Sequence, residues 1–271
     1  MVTGSILRHF STIELGTADG KKFTVRNSIV TKLALAFIGI PHLGFRARAR
    51  IIFRFIKGTP KTARILDAGS GYGIYALTLA ERGYSVDAID LEKERTDALT
   101  ARKRERPALD ERIRTYTGSI TELPFQNNSY DLIICSDVIE HIKDDEKAVS
   151  ELARVLSPEG TLIITVPYHS KNNERIYPMF GHERPGYNIE EMRRILAPHK
   201  LSIESVSCYE YALGGFLFKI FNTIHFAPLM AALFYLFYVP YLLDTFIGIG
   251  EPNGICFKIR RSTEIRAQTI S

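Results

Sequence analysis

Residues 63–82 read ARILDAGSGYGIYALTLAER. A short apolar run closes on a carboxylate, Asp67, and glycines at 69, 71 and 73 lead into a second apolar run. The first run, ARILDAG, has the length of a buried strand, and the second predicts a helix from Ile74 to Arg82. Glycines at alternate positions permit positive φ angles and let a ligand approach the main chain. A helix that begins there turns its unpaired amides toward whatever occupies the loop. The spacing is GxGxG, not the GxGxxG suited to a dinucleotide pyrophosphate. Taken alone it also describes a tight structural turn.

The same strand–helix alternation continues outward. YSVDAIDL (84–91), RIRTYTG (112–118), YDLIICSDV (130–138) and TLIITVP (161–167) read as strands. Helices are predicted over 91–106, about 144–156 and 189–196, the second ending before Pro158-Glu159-Gly160. LSIESVSCYEY (201–211) and NGICFKIRR (253–261) supply a sixth and a seventh strand. This alternation predicts a doubly wound α/β fold, a seven-stranded, mostly parallel Rossmann-like sheet covered on both faces. A hydrophobic helical insertion separates the last two strands. The expected organisation is an N-terminal part over 1–60 with a hairpin around Asp19-Gly20, an apolar helix over 29–40 and a basic helix after it. A core over 61–211, the insertion over 212–250 and the last strand and tail over 251–271 follow.

In an open parallel sheet, ligands bind at the carboxyl ends of the strands. Asp67, the glycines, Asp90, the turn after Gly118 and residues Cys135 to Asp137 all fall at such ends. Asp90 closes the second strand, where a carboxylate can accept hydrogen bonds from both hydroxyls of a ribose. It is equally placed to cap the following helix.

ILDAGSGYG, the acidic Asp90, GSITELPFQNNSYDLIICSDVIEH and ELARVLSPEGTLIITVP together resemble the class I S-adenosylmethionine-dependent methyltransferases, in particular their quinone and lipid methyltransferase branch. The resemblance covers roughly 64–194. It implies S-adenosylmethionine as cofactor, with Asp67 and Gly69 facing its methionine portion, Asp90 its ribose, and Ser119 and Ile120 flanking its adenine. Many relatives carry Asp where this chain has Ser119. The expected cofactor-binding set is Asp67, Gly69, Ser70, Gly71, Gly73, Asp90, Ser119, Ile120 and Cys135.

Methyl transfer from a sulfonium is an in-line displacement, so such an enzyme chiefly aligns the acceptor and excludes water. An oxygen or nitrogen acceptor that must lose a proton benefits from a general base. His141, in DVIEHI, and His182, in FGHERPGYN, are the catalytic candidates. The alternative for His141 is a helix-start histidine bonded to Glu140 or to backbone. Tyr168 and His169 are weaker candidates, and Glu140 reads as structural. The spacing shows no metal-ligand cluster, so no metal is expected.

Hydrophobic residues make up 45% and charged residues 24% of the 271, the balance of a folded domain rather than a disordered chain. Three cysteines without a CxxC pair give neither a zinc site nor a disulfide framework. The net charge is +5, but Arg46, Arg48, Arg50, Arg54, Lys57, Lys61 and Arg64 carry +7 without an intervening acid, which leaves the rest at −2. Phe226 to Leu243 is uncharged for 18 residues, near the lower bound for a membrane span. Two spans need roughly 40 apolar residues plus a turn, whereas 212–250 holds 39 residues interrupted by Lys219, His225 and Asp244. Helices that lie on or dip into a membrane over the acceptor pocket fit better, with the basic helix as the electrostatic half of the contact.

The start of the chain lacks the pattern of a secretory signal, so a cytoplasmic location is expected, peripheral at the inner face of the membrane. The expected acceptor is hydrophobic or lipid-linked, and no nucleic-acid partner is expected because the greasy insertion offers nothing to read bases. Two alternatives stay open: a methyltransferase of a soluble metabolite under a hydrophobic lid, and a non-catalytic membrane-associated binding protein on the same fold.

Overall fold

The computed structural model describes residues 14–16, 22–24, 43–211, 213–216 and 247–262, with residues 236, 239–241 and 243–244 between the last two stretches. The predicted helix over 29–40, the Asp19-Gly20 turn and most of the 226–243 run lie outside the described residues. The strands flanking that turn, β1 (Glu14–Gly16) and β2 (Lys22–Thr24), pair antiparallel as the hairpin reading expects.

Seven strands form one sheet: β3 (Arg64–Ala68), β4 (Ser85–Asp90), β5 (Ile113–Thr117), β6 (Tyr130–Ser136), β7 (Leu156–Pro167), β8 (Leu201–Tyr209) and β9 (Gly254–Arg261). Their order across the sheet is β5-β4-β3-β6-β7-β9-β8. Strands β3 to β7 are mutually parallel, and β9 enters antiparallel between β7 and β8. The central strands are buried on both faces, which is why they read as nearly continuous apolar runs instead of alternating ones.

Helices cover both faces. α1 (Leu43–Phe55) packs on β7, β8 and β9. α2 (Ile74–Glu81) follows the glycine turn, with six of its eight residues buried. α3 (Lys93–Arg104) buries only Thr96 and Leu99, and α4 (Pro107–Asp110) leads into β5. α5 (Asp145–Val155) is capped by Asp144, which accepts from the Lys147 amide at 3.1 Å. α6 (Lys171–Ile176) begins at Ser170, whose hydroxyl accepts from the Asn173 amide. α7 (Ile189–Leu196) carries a full capping box, Asn188 with Glu191, so its start is written in local sequence.

One boundary differs from expectation. The fifth core strand begins at Leu156, not Thr161. Tyr130 pairs with Leu156 and Leu132 with Thr161, so the Ser157–Gly160 segment is a bulge within the strand, not a turn before it. Leu156 is already extended (φ −70°, ψ 129°), which stops α5 at Val155.

The sixth strand in sequence, β8, runs in the direction of β3 to β7, and its last residue pairs with the first of β9, Tyr209 with Gly254. The chain therefore leaves the sheet at Glu210 and returns to it from Asn253 at the edge that carries the glycine turn. Two buried carboxylates bond described residues there. Glu210 accepts from the Tyr241 hydroxyl at 3.3 Å, and Asp244 accepts from the Tyr211 amide at 2.7 Å. Among the described residues, no helix is long and apolar enough to cross a membrane.

Candidate active site

The glycine turn is built by steric necessity. Gly69, Gly71 and Gly73 have φ of +74°, +55° and +79°. A Cβ on Gly69 would stand 2.3 Å from Val138 Cγ2, and one on Gly73 would stand 2.2 Å from Leu99 Cδ1, while one on Gly71 would meet nothing within 4 Å. Two glycines thus seat the turn against the core, and the middle one faces space open among the described residues. The amides of Gly69 and Ser70 donate to the Ile89 carbonyl at 2.8 and 2.9 Å, which locks the turn to the end of β4. α2 starts without a side-chain cap. The Ser70 hydroxyl is buried without a hydrogen-bond partner among the described residues.

Two buried carboxylates flank this turn. Asp67 is 1% exposed and accepts from the Ala76 amide at 3.0 Å. Burial raises its pKa to about 7, the Ala76 hydrogen bond opposes the rise, and nearby Asp90 adds to it. Asp90 accepts from the Gly71 amide at 2.7 Å through one oxygen and from the Glu92 amide at 3.0 Å through the other. Each carboxylate oxygen keeps a second lone pair beyond these bonds. Two buried carboxyl groups beside the turn favour a cationic ligand over a pyrophosphate.

The remaining expected cofactor residues divide. Ile120 is buried in the core below the turn after β5. The Ser119 hydroxyl is engaged locally, with the Thr121 hydroxyl at 2.8 Å and the Thr121 amide at 3.1 Å. Cys135 is fully buried, and burial pushes its thiol pKa far up, so it packs as a small neutral group beside Asp67 and Glu140.

Beyond β6 and β7 the structure brings together what the sequence holds 41 positions apart. The rings of His141 and His182 meet edge to face, with centroids 4.4 Å apart. Glu140 lies beneath them, fully buried, and neither of its oxygens has a partner on another described residue. Burial raises its pKa to about 8. Burial and the neighbouring His141 lower His182 to about 4, so its ring is neutral across the physiological range. Ligand atoms of Glu140, His141 and His182 lie within 4.8 Å of one another. The expectation of no metal-ligand cluster is corrected here: the donor set exists, and sequence spacing hid it because β7 intervenes between the two loops.

His169 does not join this group. Its two ring nitrogens meet Glu191 at 2.6 Å and Glu174 at 3.0 Å. Burial lowers its pKa, but the two carboxylates outweigh that and raise it, so it clamps α6 to α7. Arg184 pairs with Asp145 at 2.6 Å, and the Tyr187 hydroxyl donates to the same carboxylate, fixing the loop that carries His182.

The sequence reading counted Arg48 in the basic helix offered for a membrane contact, whereas the structure half-buries its side chain. Arg48 lies three residues after Phe45 and four before Ile52, hence on the same helical stripe as both, and it pairs with Asp137. Arg50, Arg54 and Lys57 remain exposed.

Residues 66–164 match the family described as a methyltransferase domain. This segment is a class I methyltransferase domain. The chain is 34% identical over 118 residues to a sarcosine/dimethylglycine N-methyltransferase of Aphanothece halophytica, covering 43% of this chain and 42% of that protein. It is 31% identical over 148 residues to a demethylmenaquinone methyltransferase of Renibacterium salmoninarum, covering 55% and 56%. The chain spans about half the length of these curated relatives. The fold matches that of a phosphoethanolamine N-methyltransferase 2 of Haemonchus contortus in complex with S-adenosyl-L-methionine, with a TM-score of 0.61, 22% identity, and coverage of 88% of this chain and 58% of that one. The matched segment of the methyltransferase domain includes Asp67, the three glycines, Asp90, Cys135, Glu140 and His141. Arg48 and His182 lie outside it.

Proposed function

We propose that this chain transfers a methyl group from S-adenosylmethionine to a hydrophobic or lipid-linked acceptor at a membrane surface. The observation that carries the cofactor assignment is the pair of buried carboxylates, Asp67 and Asp90, on either side of a glycine turn whose middle residue faces space open among the described residues. The cofactor supplies an electrophilic methyl group on a positively charged sulfur. Asp67 offers its negative charge to the cationic amino-acid end, and its pKa falls when that charge arrives. Asp90 keeps lone pairs for the ribose hydroxyls. His141 and His182 stand at the same edge, and the neutral His182 ring can accept a hydrogen bond that orients an acceptor hydroxyl.

The acceptor assignment is supported by the tie of Tyr241 and Asp244 to Glu210 and Tyr211 at this edge, since in sequence the uncharged run from Phe226 to Leu243 ends beside them. The exposed Arg50, Arg54 and Lys57 supply the charge for a peripheral contact with an anionic membrane. A named demethylmenaquinone methyltransferase among the relatives agrees with a greasy acceptor. The second reading, a small soluble acceptor under the same lid, is favoured by the similarity to a sarcosine/dimethylglycine N-methyltransferase.

Calorimetry with S-adenosylmethionine, comparing the chain with Asp90→Ala, tests the first step. Saturable binding that the substitution weakens by about 1 kcal/mol or more supports the cofactor site; absence of binding by folded protein refutes it. Sedimentation with anionic vesicles then separates the two acceptors, since the soluble-metabolite reading gives no pelleting.

A further inference from the structure

The ion pair between Arg48 and Asp137 belongs neither to the glycine turn nor to the histidine cluster, yet it ties the N-terminal helix to the cofactor edge. Arg48 leaves α1 from its buried stripe. Its Nη1 pairs with Asp137 Oδ2, and its Nε donates to the Tyr75 hydroxyl at 3.4 Å. Tyr75 stands in the first turn of α2, two residues after Gly73. Asp137 is held from a second side by Thr165, whose carbonyl accepts the Asp137 amide at 2.8 Å and whose hydroxyl donates to Oδ1 at 3.2 Å.

Asp137 has a φ of +54°, the left-handed region that residues with a Cβ adopt only at a cost. The next residue is Val138, whose side chain fills the space against Gly69, 2.3 Å from where a Cβ would stand. The turn at Asp137 therefore sets where the Val138 methyl groups rest, and those groups back the first glycine of the cofactor turn. The two side chains of the pair are 18% and 31% exposed, a setting in which water screens charge only in part.

We propose that Arg48 is a positioning residue for the cofactor turn. By holding Asp137 in its left-handed conformation it keeps Val138 seated on Gly69, so cofactor affinity depends on a helix outside the glycine turn. The proposal rests on the cofactor assignment above.

The test uses S-adenosylhomocysteine, the demethylated product, in calorimetry on the full chain and on Arg48→Ala, Asp137→Gly and the double variant, with a thermal melt of each. Glycine adopts a φ of +54° unaided, so Asp137→Gly frees the turn from the ion pair. Arg48→Ala is expected to weaken binding about tenfold, yet by less than about threefold in the glycine background, whatever the melting temperatures do. If Arg48→Ala does not fold, Arg48→Met keeps a long unbranched side chain on the buried stripe and carries the same comparison. A lower melting temperature with unchanged affinity overturns the proposal, as does a full affinity loss that persists in the glycine background. A folded parent chain that binds no S-adenosylhomocysteine removes the cofactor reading itself, and this proposal with it.

Discussion

Replacing Asp67 by asparagine should make the ligand-free protein more stable while damaging its cofactor site. The Asp67 carboxyl is buried and its pKa lies at about 7, raised first by burial and further by Asp90. An unfolded aspartate titrates near 3.9. The native state therefore binds the proton more tightly, and Asp67 costs stability as pH rises from about 4 to about 7, with no further change above. At about 1.36 kcal/mol per pH unit, the ceiling on that cost is about 1.5 kcal/mol at pH 5 and about 4 kcal/mol at pH 8. Water entry and local relaxation lower both. Asparagine has nearly the same shape, and its oxygen can still accept from the Ala76 amide, so the variant escapes the charge without losing the contact.

Melting of the ligand-free chain and Asp67→Asn at pH 5 and pH 8 reads this directly. A gain of roughly 2–4 °C per kcal/mol is expected for a domain of this size, larger at pH 8 than at pH 5. In the same pair, affinity for S-adenosylmethionine should rise with pH through about 7 for the parent, because binding the cation releases the Asp67 proton, and should be weaker and flat for the variant. A variant no more stable at pH 8 than at pH 5, relative to the parent, would falsify the buried-charge account.

The histidine pair makes a second pH prediction. His182 is lowered to about 4, so the native state resists a proton that the unfolded state accepts near 6.5, and stability is lost as pH falls from about 6.5 to about 4. Urea unfolding across that window should show a shallower acid loss for His182→Gln; an identical pH dependence would place the acid sensitivity elsewhere. Gly73→Ala forces a Cβ to 2.2 Å from Leu99 Cδ1 at a φ of +79°, and should cost about 2 kcal/mol or more in denaturant unfolding. Gly71→Ala meets nothing within 4 Å, so it should lose less stability but at least as much cofactor affinity. Equal stability losses for the two glycines would sink the division of labour within the turn.

The sheet core was legible because its rules are local. ILDAGSGYG, YSVDAIDL and YDLIICSDV announce buried strands by composition, and the carboxylates at their ends fall on one edge once strands alternate with helices. Asn188 and Glu191 fix the start of α7 within four residues of chain. The end of α5 was less legible, since Ser157-Pro158-Glu159-Gly160 reads as a turn but is absorbed into β7 by pairing with Tyr130 and Leu132. That choice belongs to a neighbouring strand, which a local reading does not contain.

By itself, then, the sequence determined the strand–helix alternation, the glycine turn and its two carboxylates, all properties of segments shorter than about 20 residues. Only the tertiary structure decided which charged groups meet. His141 and His182 became neighbours because the loops after β6 and β7 emerge side by side from adjacent parallel strands. Arg48 turned from an apparent surface cation into a partner of Asp137 because α1 packs across β7, β8 and β9 and carries its buried stripe to the ligand edge. Glu140 acquired its raised pKa from the core that closes over it. A charge is priced by its surroundings, and residues far apart in the chain supply those surroundings.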